Sequence, residues 1–128
     1  MSTFHTRLLL EYLDGRNWMV VETFEYCPNG ACKLRTDIRE IRVPAGFVTD
    51  FASIPRFFWR VLPPTGSYGK AAVVHDYLYR TTTFPVTRKQ ADCIFHEAMG
   101  TLGTAGWVRS VMYRAVRVFG GRAFQPRH

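Results

Sequence analysis

Eleven residues, KAAVVHDYLYR at Lys70–Arg80, constrain this chain more than any other stretch. On a helical wheel Ala71, Val74 and Leu78 share one face, and Ala72, Val73 and Tyr77 cover much of the rest. A helix apolar nearly all round is a central one, which other elements must cover on several sides. His75 and Asp76 stand inside it. A buried imidazole needs hydrogen bonds, and a buried carboxylate needs more. The fold must therefore bring cover and polar partners to the same place. Three roles are open to the pair: structural lock, metal ligand set, or part of a catalytic machine.

The flanking sequence predicts what covers this helix. TRLLLEYL and WMVVETFEY are rich in strand formers and are separated by the turn residues DGRN. Pro28-Asn29-Gly30 turns the chain again, KLRTDIREIRV alternates, and PAGF ends the β-rich part. From Ser53 the pattern becomes helical. Ser53 or Asp50 caps a short helix that Pro55 begins, carrying RFFWRVL until Pro63-Pro64. Gly66 to Gly69 lead into the His75 helix, and TTTFP ends it. Thr87 and Gln90 form a capping box opening RKQADCIFHEAMG, and AGWVRSVMYRAVRVFGG closes on a glycine pair suited to a C-cap. The expected fold class is α+β: a small antiparallel sheet or meander over about residues 5–48, then three to four packed helices over about 53–120. At 128 residues the chain is expected to be a single domain, 1–128.

Seventeen Lys plus Arg against ten Asp plus Glu give a net charge of +7. That field favours anionic partners: nucleic acid, acidic lipid or an acidic protein face. No aromatic-interleaved RNA motif or helix-turn-helix signature is present, so sequence-specific nucleic-acid binding is not expected. Nor is a transmembrane span, and MSTFHTRLLLEYLDG lacks the basic start and cleavage site of a signal peptide. The expected location is the cytoplasm, or a particle assembled there. Three cysteines indicate neither a disulfide framework nor a four-ligand zinc site. CPNGAC either closes a small loop through Cys27 and Cys32 or leaves two free thiols beside a turn. In the last helix Trp107, Val108, Val111, Met112, Ala115, Val118 and Phe119 form a broad face expected to meet the core. Arg109, Arg114 and Arg117 lie opposite, solvated or offered to phosphates. PRFFWR is a core plug or an exposed aromatic cluster.

The second carboxylate of interest is Asp92. It flanks the stripe Ala91, Ile94, Phe95, Ala98 and Leu102, from where it can reach an imidazole on an antiparallel neighbour. Such a contact would fix the tautomer and orient the ring, with Tyr79 sharing the hydrogen bond. Asp50, if it does not cap a helix, faces the same cleft. A His-Asp metallophosphohydrolase would need more histidines, and His5 and His96 lie in unrelated contexts.

The order His-Asp-x-x-Tyr, then Arg-x-x-x-Asp-x-x-Phe, resembles the helix pair of phospholipase A2, particularly the short bacterial type. That resemblance implies His75 as the base that activates water, Asp92 orienting it with Tyr79 in support, and Asp76 as a calcium ligand. Asp50 or carbonyls of the Gly66–Gly69 loop would complete the calcium shell, and an anionic lipid or another envelope ester would be the substrate. The disulfides and glycine-rich calcium loop of that family have no counterpart here, and the β-rich first half of this chain has none in that family. A wider resemblance covers VPAGFVTDFASIPRFFWRVLPP, YGKAAVVHDYLY, ADCIFHEAMGTLG and WVRSVMYRAVRVFGG. Over about Val43 to Gly121 these blocks look like an uncharacterised family of short tailed-phage and prophage proteins, classed as a domain of unknown function. It implies a phage or prophage origin, with work in the infected host's cytoplasm or in the particle. The two leading expectations are a phospholipase-like hydrolase and a non-catalytic tail, baseplate or capsid component bound to other phage structural proteins. An inhibitor of host machinery with an acidic partner is a third.

Overall fold

The computed structural model describes residues 3–4, 8–14, 17–28, 32–34, 38–50 and 69–125. Two small antiparallel sheets precede three helices, the α+β arrangement expected. β1 (Thr3–Phe4), β4 (Phe24–Cys27) and β5 (Ile41–Val43) form one sheet, with β4 central. β2 (Leu10–Asp14), β3 (Asn17–Val20) and β6 (Val48–Thr49) form the other, with β3 central. The helix expected from Ser53, the PRFFWR cluster, the Gly66–Ser67–Tyr68 part of the loop and the tips of two turns lie outside the described residues.

Period-two alternation explains the first sheet. Phe24 and Tyr26 of β4 and Ile41 and Val43 of β5 are buried, whereas Arg42 is exposed and pairs across the strands with Glu25 at 3.7 Å. The second sheet joins the core through Val20, whose backbone bonds Gly46 and Phe47. Gly46 takes a φ of 94°, open to glycine at little cost, and so lets PAGF reverse the chain between β5 and β6.

α1 (Gly69–Arg80) is central, as its apolar circumference requires. It packs on β5 and β6 on one side and on α2 (Arg88–Thr101) on another. Ala71, Ala72, Val73, Val74, Leu78 and Tyr79 are all buried, with Phe95, Ile94, Ala98 and Met99 of α2 beside them. The α2 start is the expected capping box: Gln90 N–H donates to Thr87 Oγ1 at 3.1 Å, and Thr87 N–H to Gln90 Oε1 at 2.9 Å. α3 (Gly106–Phe119) packs on α2 and runs into a short 3₁₀ turn at Gly120–Arg122.

Two local expectations are corrected. Cys32 is bonded to Cys93 of α2, and Cys27 is free. The bridge joins the loop after β4 to the helix layer, because the fold brings two Cα atoms 61 positions apart to 5.7 Å. Gly120 is the C-cap of α3, as expected of the glycine pair, with a right-handed φ of −77° that makes no demand for glycine. Its smallness matters instead, since a Cβ there would stand 3.0 Å from the Tyr79 hydroxyl. Finally, α3 is rotated from the expected setting. Val108, Met112, Ala115 and Val116 are buried, while Trp107, Val111, Val118 and Phe119 face outward.

Candidate functional site

The sheet and helix layers place the five singled-out residues in two polar clusters, both anchored on α1. In the first, His75 and Tyr79 stand one helical turn apart on α1 and meet Asp92 of α2. His75 Nε2 lies 2.7 Å from Asp92 Oδ1, which also accepts from the Tyr79 hydroxyl. Arg117 of α3 donates from Nη1 to Asp92 Oδ2 at 2.7 Å. Arg88, one turn before Asp92, reaches the Tyr79 oxygen at 3.3 Å. It also donates to the Val116 and Arg117 carbonyls at 2.7 and 2.6 Å, satisfying the end of α3. One carboxylate therefore gathers side chains from all three helices.

Burial alone would raise the Asp92 pKa, but the hydrogen bond and charge of His75, with hydrogen bonds from Tyr79 and Arg117, overcome it and hold the carboxyl below its ordinary value. An ionised carboxylate only accepts, which assigns the shared hydrogen of the dyad to Nε2. Burial first, then the bond to Asp92, pushes the Tyr79 phenol up and keeps it protonated. Asp92 in turn raises the Arg117 guanidinium. Both His75 and Asp92 are 0% exposed. The rings of Tyr79 and Phe95 lie 4.2 and 4.7 Å from the imidazole centroid.

The second cluster surrounds Asp76. Its Oδ2 accepts from Thr49 of β6 at 2.6 Å and lies 3.4 Å from Arg80 Nε. Its Oδ1 is buried with no hydrogen-bond partner among the described residues. Desolvation raises the Asp76 carboxyl above its ordinary range, against the pull of Arg80 and Thr49. Asp50 accepts from Arg80 Nη2 at 2.6 Å, so the guanidinium bridges the two carboxylates implied as calcium ligands. The orphaned Oδ1 is the one feature that suits a cation. As placed, however, Asp50 and Asp76 fit a guanidinium, and a dication would have to displace Arg80. A cavity of about 350 Å³ is lined by Arg80, Thr82, Ala123 and Gln125. None of His75, Tyr79, Asp92, Asp76 or Asp50 lines it.

Arg88 and Arg117 in the first cluster, and Thr49 and Arg80 in the second, are the members that sequence reasoning gave no part. Arg88 carries a usable signal, since it precedes Asp92 by four residues on one helix face. Arg117 carries none, because its role depends on how α3 is rotated.

Residues 18–116 match the family described as "Protein of unknown function (DUF1353)", and the chain belongs to that family. The match runs from β3 through most of α3, so it takes in both polar clusters except Arg117. Among curated proteins, an uncharacterized protein y4jT of Sinorhizobium fredii (strain NBRC 101917 / NGR234) is 39% identical over 80 residues, 61% of this chain. The aligned part spans 23% of that protein's length. No solved structure matches.

Proposed function

We propose that this chain is a non-catalytic structural component, of the kind assembled into a tailed-phage or prophage particle, and that His75, Tyr79 and Asp92 lock its three helices together. The single observation carrying this reading is the complete burial of the His75 ring. A general base must reach the proton it abstracts, directly or through one water, and this imidazole meets protein instead. Its Nε2 is committed to Asp92, and Asp92 is committed to two further donors on α1 and α3. Such an arrangement aligns elements. The phage-like sequence blocks support the particle as the setting.

The hydrolytic reading, with His75 as base and Asp76 and Asp50 on calcium, is favoured by the 2.7 Å dyad. It requires a solvent path to the ring and the departure of Arg80. The test is to incubate the purified protein with mixed phosphatidylglycerol and phosphatidylcholine vesicles and millimolar calcium. The structural reading expects no release of fatty acid above a protein-free blank. Release that stops in a folded Asp92→Asn variant would overturn it. Mass spectrometry of purified particles should find the chain in stoichiometric copies, and absence there removes the particle role.

A further inference from the structure

The outward face of α3 has no use in the lock. At 100° per residue Trp107, Val111, Arg114 and Val118 fall within about 60° of one another. Trp107 is 64% exposed and Val118 70%, and Arg114 is exposed between them. Phe119, 55% exposed, and the exposed Arg122 lie at the C-terminal end of the helix. The other two arginines of the helix point away from this face, Arg117 onto Asp92 and Arg109 toward Gly100. The helix contains no Asp or Glu.

We propose that this face is a docking surface for an anionic lipid bilayer. Three features select that occupant. Aromatic and aliphatic side chains alternate with arginines along one line, so rings and methyls can enter the acyl boundary while the guanidiniums stay among phosphates. A second copy would set Arg114 and Arg122 against their own kind, with no carboxylate on the helix to pair them. An apolar protein groove would have to bury Arg114 at the centre of the contact, at the cost of desolvating an unpaired charge. Among the described residues no helix is long and apolar enough to cross a membrane, so the contact is peripheral. The inference does not depend on the lock being non-catalytic.

The experiment is flotation of the full chain with vesicles of phosphatidylcholine alone or with one third phosphatidylglycerol, at low and physiological salt. The expected result is binding to the anionic vesicles only, weakened by salt. Each arginine near such a surface is worth roughly a fivefold change in partitioning, so Arg114→Glu with Arg122→Glu should lower binding at least tenfold. Trp107→Ser with Val118→Ser should do the same while leaving the circular dichroism and melting temperature unchanged, because these side chains are exposed. Lys89→Glu, an exposed charge on α2, is the control and should have a lesser effect. Equal loss in the Lys89 variant, or unaltered binding by the Trp107/Val118 variant, would assign the attraction to overall charge and overturn the proposal. So would failure to bind at low salt, equal binding to phosphatidylcholine, preference for an oligonucleotide over the vesicles, or a dimer in sedimentation that Val118→Asp abolishes.

Discussion

Asp92→Asn is the most informative single substitution, because it changes charge and donor capacity while keeping shape. The carboxylate receives His75 and Tyr79 on Oδ1 and Arg117 on Oδ2. Asparagine can retain the first oxygen with its two donors. Its amide nitrogen then faces the Arg117 Nη1 at the second, a donor against a donor. One charge-assisted hydrogen bond is lost, worth about 1.5–3 kcal/mol, and a guanidinium loses its counter-charge. Breaking a buried ion pair by removing one partner costs about 3–5 kcal/mol, but Arg117 is one-third exposed and can turn to water, which favours the lower end. The expected loss is about 3 kcal/mol at pH 7, a fall of about 10 °C in melting temperature for a domain of this size. The pH dependence supplies a second reading. Asp92 titrates below its ordinary value when folded, so its contribution is whole above the unfolded pKa of about 4 and disappears as pH falls through the depressed folded value. Urea unfolding of both proteins from pH 7 to pH 3 should show a gap that is widest at neutral pH and closes in acid. A gap under about 0.5 kcal/mol at pH 7, or one that is constant with pH, refutes the lock as described.

Two further outcomes follow from the same geometry. Asp76 has the opposite linkage: its folded pKa is raised, so the native state holds the proton more tightly and stability declines as pH rises from the ordinary carboxylate range toward the raised value. Asp76→Asn keeps an acceptor for Thr49 and should remove that decline in melting scans from pH 4 to 8, whereas an unchanged slope or a less stable variant at pH 7 contradicts a desolvated acid. The Cys32–Cys93 bridge closes a 61-residue separation, for which chain entropy predicts about 4 kcal/mol, so dithiothreitol or Cys93→Ser should lower the melting temperature by roughly 10–20 °C, and a shift within error would show that the bridge does not form in solution.

What was legible in the sequence follows a physical division. α1 had to be central because no rotation of KAAVVHDYLYR exposes a polar face, and the Thr87–Gln90 box is a local contact fully encoded within four residues. The nearness of His75, Tyr79 and Asp92 follows from the i, i+4 spacing on one helix and the flank position on the next. The depth of that cluster was not legible, since it depends on α3 closing over it with Arg117. The disulfide was hidden for a similar reason, because a partner 61 residues away leaves no trace in local spacing. The rotation of α3 was misjudged because its apolar residues occupy more than half of the circumference. Hydrophobicity alone then fits two settings, one burying Trp107 and Val118 and the other burying Met112 and Val116.

Specific polar and steric contacts choose between those settings. Arg117 must meet Asp92, and the Val116 and Arg117 carbonyls must meet Arg88. Gly120 must lie against the Tyr79 ring, where a Cβ would stand 3.0 Å from the hydroxyl. All three contacts lie in the last turn of α3 or just past it, and all converge on side chains of the His75 cluster. A rotation of about 100° would bring Val118 where Arg117 stands, and Asp92 Oδ2 would lose its hydrogen bond in the interior, with Arg88 Nε only as near as 4.0 Å. The buried network therefore does more than hold helices together. By setting the angle of α3 it turns Trp107, Val111 and Val118 outward beside Arg114, so the polar interior and the apolar exterior of this protein are two faces of one constraint. Loosening the lock should accordingly blunt the outer face as well: Asp92→Asn, kept at a temperature where it remains folded, is expected to bind anionic vesicles more weakly than the parent although it changes no exposed residue. Vesicle binding equal to the parent's would separate the two and leave α3 oriented by packing alone.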